Sequence, residues 1–165
     1  KYGIAEELIS EFEHPYIYLN NGILQKKGLD ANEVSRTIAA ELANFNGVAF
    51  AVPSIDLIEG KMPDTRLYRQ ILRNFNPKRS GDIYLVLEPQ WFVNEFDGLT
   101  VASTHGSPWR YDTFVPVIFA GNGLESKIVY KEIETVDIAL TLSTYLKIRP
   151  PSGATGAVLT EVLDQ

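Results

Sequence analysis

Cysteine is absent, which removes disulfide staples, thiolate metal centres, iron–sulfur clusters and a thiol nucleophile from consideration. Histidine is scarce: His14 and His105 are the only two, too few for a self-contained histidine-rich metal site. There is no excess of basic charge. The 15 Lys+Arg against 21 Asp+Glu leave a net charge of −6, unsuited to general binding of nucleic acid or an anionic membrane, both of which reward Lys and Arg. Long hydrophobic runs are missing too. The longest, at 48–53 and 115–120, are strand-length, far short of the roughly 20 residues a membrane-spanning helix needs. The chain starts without a basic–apolar–small leader pattern. It has no Gly-rich phosphate loop, since Ala120-Gly121-Asn122-Gly123 holds only two glycines, and no Gly-x-Ser-x-Gly elbow. No Asp stands one or four residues before either His.

What is present is an ordinary globular composition. Apolar residues make up 45% and charged residues 22% of the 165, enough for one domain, or one domain with an embedded subdomain, around a sizeable core. The chain opens on Lys1 and runs directly into an apolar-periodic segment, so it reads as trimmed. Ile4, Leu8, Ile9 and Phe12 are spaced as on a helix over 3–14, stopped by Pro15. Residues 16–19 alternate as a strand, and Asn20-Asn21-Gly22 suggests a hairpin turn into a second strand over 23–26. Asp30 and Glu33 form a capping box for a helix whose inner face is Val34, Ile38, Leu42 and Phe45. A strand over 48–52 follows. Asp64 then starts a helix with Leu67, Ile71, Leu72 and Phe75 inward, and another strand runs over 82–87. Residues 15–90 therefore read as a ββαβαβ unit of split β-α-β type.

The second half differs in style, with a soft boundary near 90–98. A strand is expected over 99–103, followed by a polar loop and an apolar strand over 115–120 buried on both faces of an α/β sheet. A further strand over 127–131, a helix capped by Thr135 and a last short helix within 156–163 complete the pattern. These are too few strands for a whole sheet, so part of the sheet must come from elsewhere. The fold class is α/β: an α+β subdomain over 1–92 joined to a portion of a larger α/β sheet over 93–165.

His105 is the sharpest chemical feature. It lies in a loop between a candidate strand and an apolar one, where α/β proteins concentrate ligand-binding groups, and a neutral imidazole there suits zinc. A backbone-bonded loop histidine is the competing reading. His14 makes a lone Glu-x-x-His with Glu11, explained by a favourable helix C-terminus, and is given no role. Arg66, Arg69 and Arg73, with Lys78 and Arg79 nearby, would suit a phosphate surface. They fall on one helix face opposite the Leu67/Ile71 stripe and read as the solvated face of an amphipathic helix. Asp56, Asp82, Asp97 and Asp112 are free-standing carboxylates with no pairing for acid–base work. No complete active site is visible, and no catalytic residue is assigned.

The segment Ser103-Thr104-His105-Gly106-Ser107-Pro108-Trp109-Arg110-Tyr111-Asp112-Thr113-Phe114-Val115-Pro116-Val117 resembles the last metal-ligand motif of the alkaline phosphatase superfamily. Within it the similarity is to bacterial phosphate-irrepressible alkaline phosphatases, grouped with type I phosphodiesterases and nucleotide pyrophosphatases. Arg79-Ser80-Gly81-Asp82-Ile83 resembles a strand start of that group, and Val136-Asp137-Ile138-Ala139-Leu140-Thr141-Leu142 one of its helices. The resemblance is specific over about 79–163, and the preceding α+β unit fits the subdomain these enzymes insert.

The resemblance implies a parent hydrolase acting on phosphate mono- or diesters through two zinc ions and a Thr or Ser phosphoenzyme, exported to the periplasm or secreted. His105 takes the position of the last zinc ligand, with Tyr111 and Asp112 as candidates for orienting it. The family's nucleophile, first Asp ligand, Asp-x-x-x-His pair and Asp-His pair have no counterpart in this sequence. The chain is accordingly expected to be an inactive C-terminal fragment that does not hold zinc by itself. It is also expected to expose apolar surface around 115–120 and self-associate through that sheet edge. The alternative is a non-catalytic α/β binding or interaction module.

Overall fold

A computed structural model describes every residue except Lys1, Tyr2, Ile4, Asp97, Asp164 and Gln165. Ile4 of the expected first helix and the candidate carboxylate Asp97 thus lie outside the described residues. In chain order the elements are β1 (Ile9–Glu13), β2 (Tyr16–Leu19), α1 (Asn21–Lys27), α2 (Ala31–Leu42), β3 (Val48–Pro53), α3 (Ser54–Ile58), α4 (Arg66–Asn74) and β4 (Ile83–Leu87). They continue with β5 (Glu95–Phe96), β6 (Leu99–Thr100), α5 (Arg110–Thr113), α6 (Asp137–Tyr145) and α7 (Thr160–Leu163). Contacts group them into two compact units, Lys1–Phe114 and Val115–Gln165.

The first unit is built on a four-stranded sheet in the order β1-β2-β4-β3, with every neighbouring pair antiparallel. Since β2 and β3 both run against β4, they are parallel to each other with β4 inserted between them. This is the split β-α-β arrangement read from the sequence. β4 is the central strand and its residues Ile83, Tyr84, Leu85 and Val86 are all buried, because both faces of the sheet are covered. On one face Ile17 and Ile83 pack with Ala39 and Ile38 of α2, continuing into Leu19, Leu24 and Val34. On the other, Val52, Tyr84 and Val86 pack with Leu57 and Ile71 from α3 and α4.

The sequence rules held where local signals and tertiary needs agreed. Asp30 Oδ1 accepts the Glu33 N–H at 2.8 Å and starts α2 as expected. In α4 the cap is Thr65, whose Oγ1 accepts from Tyr68 N, while Asp64 ion-pairs with Arg69 instead. Phe45 and Leu72, expected on inner faces, are exposed.

Two short elements are the reverse of expectation. Residues 9–13 form an exposed strand, not a helix, because pairing with β2 across the tight His14-Pro15 link overrides the local periodicity. Glu11 and Glu13 then sit on the sheet edge, where charge discourages further pairing. Residues 23–26 are helical, not a hairpin strand. Asn20 Oδ1 accepts the Ile23 N–H at 3.2 Å as an N-cap, and Gly28 at φ 65° closes the C-terminus. The loop bearing His105 packs back onto the first unit's core through Trp109.

In the second unit, α6 carries a polar clasp. Asp137 Oδ1 accepts from Ala157 N at 2.7 Å and its Oδ2 from Glu134 N at 2.9 Å. Fully buried Thr141 donates to the Asp137 carbonyl at 2.8 Å and accepts from Leu159 N at 2.9 Å. At Gly156 a Cβ would come within 2.3 Å of the Val136 carbonyl oxygen, so only glycine admits this close backbone approach. The expected Thr135 cap is not used; the Asp137 carboxylate secures the helix start in its place.

Neither 115–120 nor 127–131 is a strand, and 115–120 is not buried. Val115, Ile118, Ile128 and Tyr130 are exposed, Ile118 at 84% and Tyr130 at 95%. A ladder needs a neighbour, and none pairs with these segments among the described residues.

Candidate functional site

A cleft of about 240 Å³ opens in the first unit beside the C-terminal half of β4. It is walled by β4, the turn after it (Gln90, Trp91, Phe92), the β1–β2 link (His14, Pro15) and the His105 loop. The site therefore gathers segments far apart in sequence.

The His105 loop is tied to β4 at defined points. Trp109 Nε1 donates to the Leu87 carbonyl at 2.8 Å, and the indole packs against the cluster around Ile71 and Val86. The Tyr111 hydroxyl accepts from Gln90 N at 2.9 Å. That bond supports a non-glycine residue at φ 70°, a left-handed conformation that costs on the order of 1 kcal/mol. The Asp112 carboxylate accepts from Ser107 N at 2.9 Å and closes the loop on itself. Gly106, at φ 104°, has open space where a Cβ would stand, so glycine is there for the backbone turn and not for a close contact.

His105 is exposed to the cleft, and among the described residues its imidazole has no hydrogen-bond partner. Tyr111 and Asp112, the candidates for orienting it, both line the same cleft but bond to backbone N–H groups instead. The remaining carboxylates are elsewhere. Asp56 bonds Arg36 and Asp82 accepts from Leu19 N at 2.7 Å. Arg66, Arg69 and Arg73 are exposed on α4, away from the cleft lining.

The structure adds His14, which sequence reasoning placed at a helix end. Burial pushes its imidazole below the usual histidine pKa, favouring the neutral form, and Phe12 meets its ring edge-on at 6.3 Å. Trp91 and Phe92 were also missed, although an aromatic pair just after a buried strand was the available signal. Zinc, the metal implied by the resemblance, is compatible with His105 as a single ligand: an unencumbered imidazole at a cleft is a suitable nitrogen donor. Among the described residues no group of three or more His, Asp or Glu that could hold a metal ion converges.

Comparison with known proteins covers the chain from end to end. A protein of Myroides odoratus named "Calcium-transporting ATPase" is 33% identical over all 165 residues, and "Alkaline phosphatase PafA" of Elizabethkingia meningoseptica is 27% identical over 164. The crystal structure of wild-type alkaline phosphatase PafA superposes with a TM-score of 0.84 at 26% identity, covering 97% of this chain and 30% of that one. The chain is similar to alkaline phosphatases along its whole length. It spans 29% of the length of each of the two sequence relatives, 100% and 99% of itself being matched. No family model matches the chain. The superfamily likeness accounts for the mixed helix-and-strand architecture, and no helix among the described residues is long and apolar enough to cross a membrane.

Proposed function

We propose that this chain forms the C-terminal part of a zinc-dependent phosphate-ester hydrolase, with His105 supplying one ligand to a two-metal site completed by upstream residues. The observation that carries this reading is the position of His105: unpartnered, exposed, and at the mouth of a cleft in a chain matched end to end by alkaline phosphatases. When bound, two zinc ions supply charge stabilisation for the attacking and leaving oxygens of a phosphoryl displacement and lower the pKa of the nucleophile. This chain's own residues do the positioning. Trp109 and Tyr111 lock the loop to β4 and its following turn, and Asp112 sets the loop's internal geometry.

On this reading 1–92 is the inserted subdomain and 93–165 the closing portion of the catalytic α/β domain. The exposed apolar segments at 115–120 and 127–131 are covered by the remainder of the sheet in the full-length protein, and the isolated chain self-associates through them. The nucleophile and the other ligands lie upstream, the isolated chain is inactive, and the parent works in the periplasm or outside the cell. The test is an assay of the full-length protein, with zinc and with EDTA, on a chromogenic phosphate monoester and the matching diester, beside the 165-residue chain. Zinc-dependent turnover by the long form alone supports the proposal, and the preferred ester names the class. No turnover by the long form in either condition overturns it and leaves a binding module.

A further inference from the structure

Asparagine is followed by glycine at three places, Asn21-Gly22, Asn46-Gly47 and Asn122-Gly123. Such a pair is open to attack by its own backbone, because no Cβ shields the glycine nitrogen or restrains its peptide group. The fold treats the three pairs differently. Asn21 and Gly22 lie in the first turn of α1, behind the cap that Asn20 makes to the Ile23 N–H. The Asn122 carbonyl accepts from the Tyr145 hydroxyl, which ties that peptide group to α6.

Asn46-Gly47 forms the turn from α2 into β3, and there the joining peptide group is loose. The Val48 N–H donates to the Phe45 carbonyl at 3.1 Å and the Glu88 N–H to the Gly47 carbonyl at 2.8 Å, so the chain is held on either side of it. Among the described residues neither the Asn46 carbonyl, nor the Gly47 N–H, nor the Asn46 carboxamide makes a hydrogen bond. Asn46 is exposed to water. Gly47 is also fixed as glycine: its φ is 87°, and a Cβ would fall 2.2 Å from Trp91 Cε3. The fold therefore demands glycine at the pair whose backbone it leaves loosest.

We propose that Asn46 is a site of spontaneous deamidation in the folded protein. The Gly47 nitrogen gives its proton to solvent and bonds to Asn46 Cγ. The Cγ–Nδ2 bond breaks, and Nδ2 takes up a proton and leaves as ammonia. Water then opens the succinimide at either of its carbonyl carbons. Breaking the new N–Cγ bond yields aspartate at 46; breaking the original peptide bond yields isoaspartate, with one more methylene in the main chain. One water is consumed, one ammonia released, and nothing is oxidised or reduced. Both products add a negative charge at the start of β3, and isoaspartate also shifts the backbone against which Trp91 rests. The reaction needs only this turn and water, so the inference stands apart from the hydrolase reading.

The experiment incubates the full-length protein in mildly alkaline buffer, folded and in parallel unfolded in guanidinium chloride, then maps tryptic peptides by mass spectrometry with isoaspartate detection. Cleavage after Lys26, Arg36, Lys61, Arg110 and Lys127 puts the three pairs on separate peptides. In the folded protein Asn46 is expected to convert at least about tenfold faster than Asn21 and Asn122, which react only from locally opened states. In guanidinium chloride the three rates should come within about threefold of one another, because the fold no longer distinguishes them. Asn46→Gln, which would have to close a six-membered ring in place of a five-membered one, should abolish conversion at 46 in the folded protein. Equal rates at the three pairs in the folded protein, or conversion of Asn46 only when unfolded, overturn the proposal. A tenfold lead for Asn46 in the unfolded chain as well assigns the rate to sequence alone and overturns the role given to the turn.

Discussion

Thr141→Val is the cleanest probe of the α6 clasp, since valine keeps the volume and β-branching of threonine and removes only the hydroxyl. Thr141 is fully buried, and its Oγ1 accepts the Leu159 N–H at 2.9 Å while donating to the Asp137 carbonyl at 2.8 Å. With valine in place the Leu159 N–H is left buried without an acceptor, which costs about 1–3 kcal/mol. Thr144, on the same helix, donates to the Leu140 carbonyl at 2.9 Å in the same i to i−4 geometry, but it is exposed. Water replaces that bond, so Thr144→Val is expected within about 0.5 kcal/mol of wild type. Threonine and valine have similar helix propensities, so the difference between the two variants isolates the buried acceptor. Urea titration of both variants, with amide exchange at Leu159 as the local readout, measures it. Equal stabilities for the two variants, or undiminished protection of the Leu159 amide in Thr141→Val, would refute the reasoning.

The remaining predictions concern the first unit. Trp109→Phe keeps a ring against the core and removes the bond to the Leu87 carbonyl; urea titration should show a loss of about 1 kcal/mol, with Leu87 now short of an acceptor's partner. Arg36 reaches Asp56 at 2.8 Å and Glu59 at 2.9 Å on a half-buried surface, so Arg36→Ala should cost about 1 kcal/mol. Thermal melts should show that difference shrinking as salt is raised. Burial lowers the His14 pKa below its unfolded value of 6.5, so the unfolded chain binds the extra proton first. Its contribution to stability is complete above the unfolded pKa and is lost as pH falls through the folded value. The wild-type melting temperature should therefore drop more steeply than that of His14→Gln on acidification from neutral pH, and parallel profiles would contradict this.

Much of the fold was legible because strong local signals coincided with tertiary demand. The apolar run at 83–87 is a central strand covered on both faces, and Asp30 caps α2 through its side chain. The segment from Val136 to Leu142 was legible as a pattern, and its reason is now physical: Asp137 and Thr141, one turn apart, hold the residues before the helix and those at 157 and 159. The errors fall where the deciding partner is remote. Residues 9–13 have helical spacing but find a strand to pair with, and Asn20 serves as a helix cap where a hairpin turn was expected. The segment at 115–120 has the composition of a buried strand and no strand to bury it. His105 stood out by loop context, whereas His14, Trp91 and Phe92 reach the cleft only through the sheet order, which no short-range pattern contains.

The central claim is that His105 is a metal ligand of a phosphate-ester hydrolase, and His105→Ala in the full-length protein tests it most directly. Zinc content per chain and turnover of a phosphate monoester are measured together on the purified variant, beside circular dichroism as a check of the fold. The account predicts a native spectrum, loss of zinc from one of two sites and turnover lower by orders of magnitude. A native variant that keeps its full zinc complement and its activity would remove His105 from the site.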